Sequence, residues 1–276
     1  MSSQLPLQIQ KWVSLLGLKW PLLVEKSREK GGLPQFKPLL SLKRNKCLRE
    51  KVHYLQVPPA FLDRPEDFLS EWGHELCHCV LAERVDPLFE TCPIQPRDDL
   101  SEREQMIRAA LFDFARSHED LWVNDLRHEI LGRELTIRDL NEGFEAISAL
   151  FSRFEKIFGF LFFPIIVESM FRNDYLFLTA FCLYVVSEER YNAEELKFDS
   201  LRKNIFSIIS QETATRADAL IDAYSRLPYF SLLEREAVVE EILEIWQESV
   251  REVIKILFPH IEWEPTLIIP QGTWLV

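Results

Sequence analysis

Two histidines and a glutamate stand together in the segment 73–80, Gly-His-Glu-Leu-Cys-His-Cys-Val. His74 and His78 are four residues apart, so on a helix both imidazoles project from the same face. Two neutral imidazoles at this spacing can bind one zinc ion at about 2.0–2.1 Å each. Glu75 follows the first histidine directly, where its carboxylate can take a proton from a water bound to that ion. The segment therefore predicts a Zn²⁺ site with Glu75 as the catalytic base.

The residues around the two histidines favour a continuous, largely buried helix. No proline occurs between residues 67 and 86, and positions 72, 73, 76, 77, 79 and 80 carry no charge. A surface helix with a chance match would carry charges at several of these positions. On a helix, Cys77 points away from the histidine face and Cys79 lies about 100° off it, so both are interpreted as small buried residues rather than thiolate ligands. The alternative, two histidines and a glutamate on an ordinary helix face, stays open at this stage.

This segment resembles the active-site helix of the zincin metallopeptidases, in particular the gluzincin-like members, which carry His-Glu-x-x-His. The resemblance implies a zinc-dependent peptidase that acts on a peptide or protein substrate. It also implies a β-strand before the helix, which holds an extended substrate along its edge. Residues 51–57 (KVHYLQV) alternate in character and are rich in β-formers, which predicts a strand in that place. The resemblance covers roughly residues 51–145, and only its short motif is specific.

A third zinc ligand must come from downstream, and two acids are candidates. Asp120 is followed one turn later by Asn124, which is placed to hydrogen-bond a histidine ligand and is similar to an acid and polar pair in some zincins. Glu142 lies in an Asn-Glu-Gly run that resembles the one in gluzincin aminopeptidases, where the glutamate binds zinc. Its separation from His78 is longer than in those enzymes, and their Gly-x-Met-Glu-Asn element is missing from the sequence. Asp120 is slightly preferred to Glu142. His118, which lies within the apolar stripe of its helix, is a third possible ligand but is interpreted as a core histidine.

The rest of the chemistry is less constrained by the sequence. Hydrolysis needs a donor near the developing oxyanion, and the candidates, which the sequence does not rank, are His128, Tyr191, Tyr224 and Tyr229. The chain has no glycine-rich phosphate loop and no nucleophile elbow. The alternative function is a non-hydrolytic helical protein, derived from a zincin, that binds a metal ion or a partner.

The elements that must position these residues are mainly helices. The sequence predicts a mainly α (α+β) fold, a zincin-like helical domain with a small β-sheet preceding the active-site helix. The active-site helix is predicted over 66–84, and the next helix over 101–131, with a capping box at its start. A helix that begins near residue 136 has an apolar face at positions 140, 144, 147, 151, 154 and 158. Further predicted segments are an amphipathic helix within 5–24 ended by Pro21, helices over 165–186, 193–225 and 231–258, and an extended tail over 259–276.

Charge divides the chain into a basic N-terminal segment with an amphipathic helix, residues 1–52, and a zincin-like, mostly helical metallohydrolase domain, residues 53–276. Up to Lys51, eleven Lys and Arg stand against three acidic residues, although the whole chain carries 32 basic and 44 acidic residues. The basic arm is interpreted as lying across the acidic body of its own chain. An acidic body repels phosphate, so no nucleic-acid partner is expected.

Composition also bounds the compartment in which the chain is expected. The five cysteines lack the spacing of a disulfide framework. The N-terminus has no basic region followed by a continuous apolar run, so no secretory signal is predicted and the cytoplasm is expected. Two apolar runs, 157–167 and 175–186, are shorter than the roughly 20 residues of a spanning helix, so both are interpreted as core helices. The oligomeric state is left open.

Overall fold

Helices dominate the computed structural model, which describes residues 5–26, 51–85, 101, 119–130, 132–193, 196–231 and 239–259. A small two-stranded parallel sheet precedes the helix that carries the histidines. This arrangement confirms the predicted mainly α (α+β) class. None of the described helices is long and apolar enough to cross a membrane.

The N-terminal segment forms a helix and a strand. Helix α1 spans Leu7–Leu16 and ends at Gly17, whose φ is 63°. Strand β1 (Leu22–Lys26) pairs in parallel with β2 (His53–Val57), which confirms the strand predicted within 51–57. The helix predicted within 5–24 is too long. Gly17 ends it in the left-handed conformation that glycine adopts without steric cost, and residues 22–26 join the sheet.

The helix that carries the histidines is enclosed by apolar contacts. Helix α2 (Pro59–Asp63) and a 3-10 turn (Pro65–Phe68) lead into α3 (Leu69–Arg84), close to the predicted range 66–84. Trp72 is 0% exposed, and its indole N–H donates to the carbonyl of Phe61. Every residue from Leu76 to Ala82 is buried. Because α3 is held on several sides, the direction of its polar side chains is fixed.

A glutamate near the end of α3 ties the N-terminal segment to this helix. The carboxylate of Glu83 accepts hydrogen bonds from the backbone N–H groups of Lys19 at 2.7 Å and Trp20 at 2.8 Å. It also lies 2.7 Å from Nε2 of His53 on β2. The segment before residue 52 therefore contacts the predicted catalytic helix. The division at residue 52 and the course of the basic arm stay predictions, since 27–50 lie outside the described residues.

The remaining helices form a bundle around the helix Tyr175–Arg190. Residues 119–130 are helical and are called α4 here; most of the predicted helix over 101–131 lies outside the described residues. The later helices are α5 (Arg133–Asn173), α6 (Tyr175–Arg190), α7 (Phe198–Phe206), α8 (Gln211–Ser225) and α9 (Val239–Leu257). Helix α6 packs against α5, α7 and α8, and α9 packs against α8.

Two of the predicted helices are divided by N-caps. The range 165–186 divides at Asp174, whose side chain accepts the N–H of Phe177 and begins α6. The range 193–225 divides at Ser210, whose hydroxyl accepts the N–H of Thr213 and begins α8. Such side chains satisfy amide groups that lack a partner in the first turn of a helix.

The apolar face predicted for α5 is buried at positions 140, 147 and 151, whereas Phe158 is 43% exposed. The predicted tail 259–276 lies outside the described residues from 260 onward.

Candidate metal centre

Helices α3 and α4 bring together three side chains that could hold a metal ion: His74, His78 and Asp120. The two histidines project from one face of α3, and their Nε2 atoms lie 3.2 Å apart. Oδ1 of Asp120, on α4, lies 3.5 Å from Nε2 of His74 and 3.7 Å from Nε2 of His78. The two predicted histidine ligands and Asp120, the preferred third ligand, are therefore brought together in one group.

The triangle formed by these three atoms has the size of a zinc site. In a tetrahedral site with arms of about 2.0–2.1 Å, two ligand atoms are about 3.3–3.4 Å apart. The three distances of 3.2, 3.5 and 3.7 Å are close to this edge. Three protein ligands leave the fourth tetrahedral position open, as in catalytic rather than structural zinc sites. The side chains of His74 and Asp120 are 28% and 45% exposed, so this position can be reached from solvent.

A second carboxylate lies behind the buried histidine. Glu119 is 0% exposed, and its Oε2 lies 3.9 Å from Nδ1 of His78. The imidazole thus has one nitrogen facing the ligand group and the other on the side of a carboxylate, at a distance longer than a hydrogen bond. Glu119 is not among the site residues that the sequence predicts. Its only sequence signal is that it precedes Asp120 directly.

The charges around His78 favour a cation. Burial lowers the pKa of its imidazole, but the hydrogen bond with Asp120 and the negative charges of Glu75, Asp120 and Glu119 outweigh this effect and raise the pKa above its ordinary value. The same carboxylates that stabilise an imidazolium would stabilise a divalent ion between the imidazoles. The group is therefore suited to a metal ion in charge as well as in spacing.

Glu75 lies next to this group and is largely shielded from water. Glu75 is 8% exposed and lies on the same turn of α3 as His74. Its negative charge contributes to the raised pKa of His78, so the carboxylate is close enough to the ligand group to interact with it. Its role as a base that acts on a metal-bound water stays a prediction.

A polar cluster beside the histidines fixes α3, α4 and α5 relative to one another. Ser70 on α3 donates a hydrogen bond to Asp139 on α5. Nη1 of Arg127 on α4 donates to Oγ of Ser70 at 2.9 Å and pairs with Oδ2 of Asp139 at 2.6 Å. Arg127 is 7% exposed, and hydrogen bonds to buried charged groups are strong. The cluster lies one turn of α3 before His74 and holds the three helices in the positions that the ligand group requires.

The structure does not bring Glu142 into the ligand group. Its side chain is 71% exposed and lies 4.0 Å from Nε of Arg138 on the surface of α5. The glycine after it has a packing role instead. A Cβ on Gly143 would lie 2.5 Å from the ring of Tyr184, so the Asn-Glu-Gly run marks the close approach of α6 to α5. Asn124 is half-buried, and no hydrogen bond joins it to His74 or His78 within the described residues, so its role stays a prediction.

Two of the candidate oxyanion donors are engaged elsewhere. The hydroxyl of Tyr191 donates to Oδ1 of Asp125 at 2.9 Å, and that of Tyr229 donates to the backbone carbonyl of Asp125 at 3.1 Å. Asp125 also pairs with Arg190 through two hydrogen bonds of 2.6 and 2.5 Å. The ring of His128 stacks on Tyr191 at 4.9 Å. Tyr191 and Asp125 are buried and join α6 to α4, whereas Tyr229 is 39% exposed. His118 lies outside the described residues.

The cysteines of α3 are core residues, as predicted. Cys77 and Cys79 are 1% and 0% exposed, and burial raises the pKa of the Cys77 thiol to about 12. A thiol at that pKa is protonated at neutral pH and is a poor metal ligand.

Comparison of the chain with protein-family models, with curated proteins and with solved structures found no match.

Proposed function

We propose that this protein is a zinc-dependent metallohydrolase and that its substrates are peptides or proteins. The observation that carries the proposal is the triangle of His74, His78 and Asp120, with distances of 3.2–3.7 Å and a carboxylate, Glu75, beside it. A structural metal site has no need of that carboxylate, whereas a hydrolytic one does. The proposed ligands are the two histidines and Asp120.

Each residue of the group has a defined task in this proposal. Bound zinc would act as a Lewis acid and lower the pKa of a coordinated water to about 7. Glu75 accepts the proton of the attacking water and returns it to the leaving amine, a role that contributes about 10²–10⁴-fold to a rate. Glu119 would favour, through its negative charge beside Nδ1 of His78, the imidazole orientation in which Nε2 is available as a ligand.

The proposal of a peptide substrate is supported by the sheet and by the resemblance of the motif to zincin peptidases. Within the described residues, β2 pairs with β1 along one edge only. An extended peptide can add to such an edge through main-chain hydrogen bonds. β2 also precedes α3 in the chain, which is the order that the resemblance implies for a substrate-holding strand.

Metal content and hydrolysis test the proposal together. Wild type is expected to hold about one zinc ion per chain by mass spectrometry, and His78→Ala to lose it. Glu75→Gln should keep the ion and lose about 10²–10⁴-fold in hydrolysis of a peptide library. Glu71→Gln is the matched control, because Glu71 lies on α3 one turn before His74 and is half-buried. Hydrolysis that survives in Glu75→Gln would refute the mechanism.

A second candidate function is a metal-binding protein without hydrolytic activity. The observation that favours it is the engagement of Tyr191 and Tyr229 with Asp125, which removes both phenols from the candidate oxyanion donors. Under this alternative, zinc binds with the same ligands and raises the melting temperature, but wild type and Glu75→Gln are equally inactive. Hydrolysis by wild type that depends on Glu75 excludes it.

A further inference from the structure

Helix α5 contains a break that turns an apolar segment toward solvent. Gly159 has φ 67° and ψ 172° inside the range Arg133–Asn173, a conformation that interrupts helical hydrogen bonding and favours glycine. Pro164 follows within the same helix, and it lacks the N–H that would bond to the carbonyl of residue 160. Both features weaken the helix at the same turn. The sequence around this turn, 157–165, is Ile-Phe-Gly-Phe-Leu-Phe-Phe-Pro-Ile.

Six large apolar side chains at this break are exposed and form what we call the apolar elbow. Their exposed fractions are 59% for Ile157, 43% for Phe158, 84% for Phe160, 78% for Leu161, 60% for Phe162 and 63% for Ile165. With roughly 200 Å² for a large apolar side chain, the elbow presents about 800 Å² of apolar surface. The largest apolar patch on a typical monomer is about 300–600 Å². A patch of this size indicates a surface that is covered in solution.

We propose that the apolar elbow is the interface through which two copies of this chain form a two-fold symmetric dimer. A stable interface needs about 800 Å² from each partner, so the exposed surface of the elbow is of the size that such an interface uses. In a two-fold dimer the same patch serves both subunits, so a single apolar helix segment is sufficient. Aromatic residues are enriched at the centre of such interfaces, and three of the six elbow residues are Phe.

The charges near the elbow favour a protein partner over a membrane surface. Surfaces that bind anionic lipid carry a collar of Lys and Arg beside the apolar residues. Here the exposed neighbours are of both signs, Arg153, Glu155 and Lys156, and the whole chain has a net charge of −12. The elbow and the contact with the histidine-bearing helix also lie on different parts of α5. The helix after the break is tied to α8 through Glu168 and Ser210, whereas Asp139, near the other end of α5, contacts the histidine-bearing helix.

The oligomeric state of the full-length protein tests this assignment. Sedimentation equilibrium of wild type over an approximately hundredfold concentration range should give the mass of two chains, with dissociation only on dilution. Leu161→Glu places a charge in the centre of the interface and should weaken the dimer at least roughly thirtyfold, the effect of losing a central anchor residue. Leu7→Glu is the matched control, because Leu7 is 70% exposed and lies on α1, outside the elbow. Circular dichroism of all three proteins confirms that they are folded.

A dimer in wild type and in Leu7→Glu, with Leu161→Glu monomeric, supports the proposal. Wild type that stays monomeric over the whole range overturns it; binding of that monomer to zwitterionic lipid vesicles would then identify a membrane as the partner. A dimer that both variants retain, or that both lose, overturns the assignment to the elbow. Open-ended assemblies in place of a closed dimer overturn the two-fold arrangement. Zinc content is expected to be equal in all three proteins, so this test does not depend on the metal centre.

Discussion

The choice between Asp120 and Glu142 as third ligand gives the sharpest prediction from the structure. Asp120→Asn keeps the shape of the side chain but removes the charge that lies 3.5 and 3.7 Å from the two imidazoles. Loss of a residue that hydrogen-bonds to a metal ligand costs about 10–100-fold in metal affinity. Loss of a direct ligand should cost at least the upper figure, about 2.7 kcal/mol. Glu142→Gln is the control, because Glu142 is 71% exposed and lies outside the ligand group.

Thermal unfolding with added zinc measures this difference without an activity assay. A ligand at about 100 times its dissociation constant stabilises the folded state by about 2.7 kcal/mol. For a chain of this size each kcal/mol raises the melting temperature by about 2–4 °C, so wild type should gain about 5–10 °C. At the same zinc concentration, Asp120→Asn with hundredfold weaker binding should gain only about 1 °C. Glu142→Gln should behave as wild type.

The opposite pattern would refute the reasoning. If Asp120→Asn keeps the full gain and Glu142→Gln loses it, α5 rather than α4 supplies the third ligand. If zinc raises the melting temperature of neither variant nor of wild type, the three side chains do not form a metal site. Calorimetric titration of the same proteins gives the dissociation constants directly and checks the stoichiometry of about one ion per chain.

Three further predictions concern the surroundings of the site. Glu119→Gln should weaken zinc binding about 10–100-fold and leave the stoichiometry unchanged, measured by competition with a zinc-binding dye; wild-type affinity would show that the carboxylate does not orient the ligand. Asp125→Ala should lower the free energy of unfolding by about 3–5 kcal/mol in urea, because Arg190 would be left buried without its partner; a loss under about 1 kcal/mol would contradict this. Gly143→Ala should destabilise the protein by about 1–3 kcal/mol through its clash with Tyr184, although alanine is the better helix former by about 1 kcal/mol. A stabilised Gly143→Ala protein would show that the ring moves aside.

Local patterns in the sequence were sufficient for the parts of the structure that depend on near neighbours. The spacing of His74 and His78 placed both imidazoles on one helix face, and their side-chain conformations bring the Nε2 atoms to 3.2 Å. The alternating run at 51–57 predicted β2, because alternation along a strand is also a relation between near neighbours. Helix ends were less predictable. Asp174 and Ser210 resemble many other polar residues in the chain, and only the neighbouring packing decides which of them caps a helix.

The sequence by itself determined that two histidines and a glutamate share one turn-and-a-half of helix, because residues three and four apart are fixed neighbours. Which acid completes the group could only be decided by tertiary structure, since the distance from His78 to Asp120 or Glu142 along the chain says nothing about distance in space. The same holds for Glu119 behind His78, for the contact of Gly143 with Tyr184, and for the exposure of the apolar elbow. In each case the relevant partner lies on another helix, or no described helix covers the side chain, and the packing of the bundle sets that outcome.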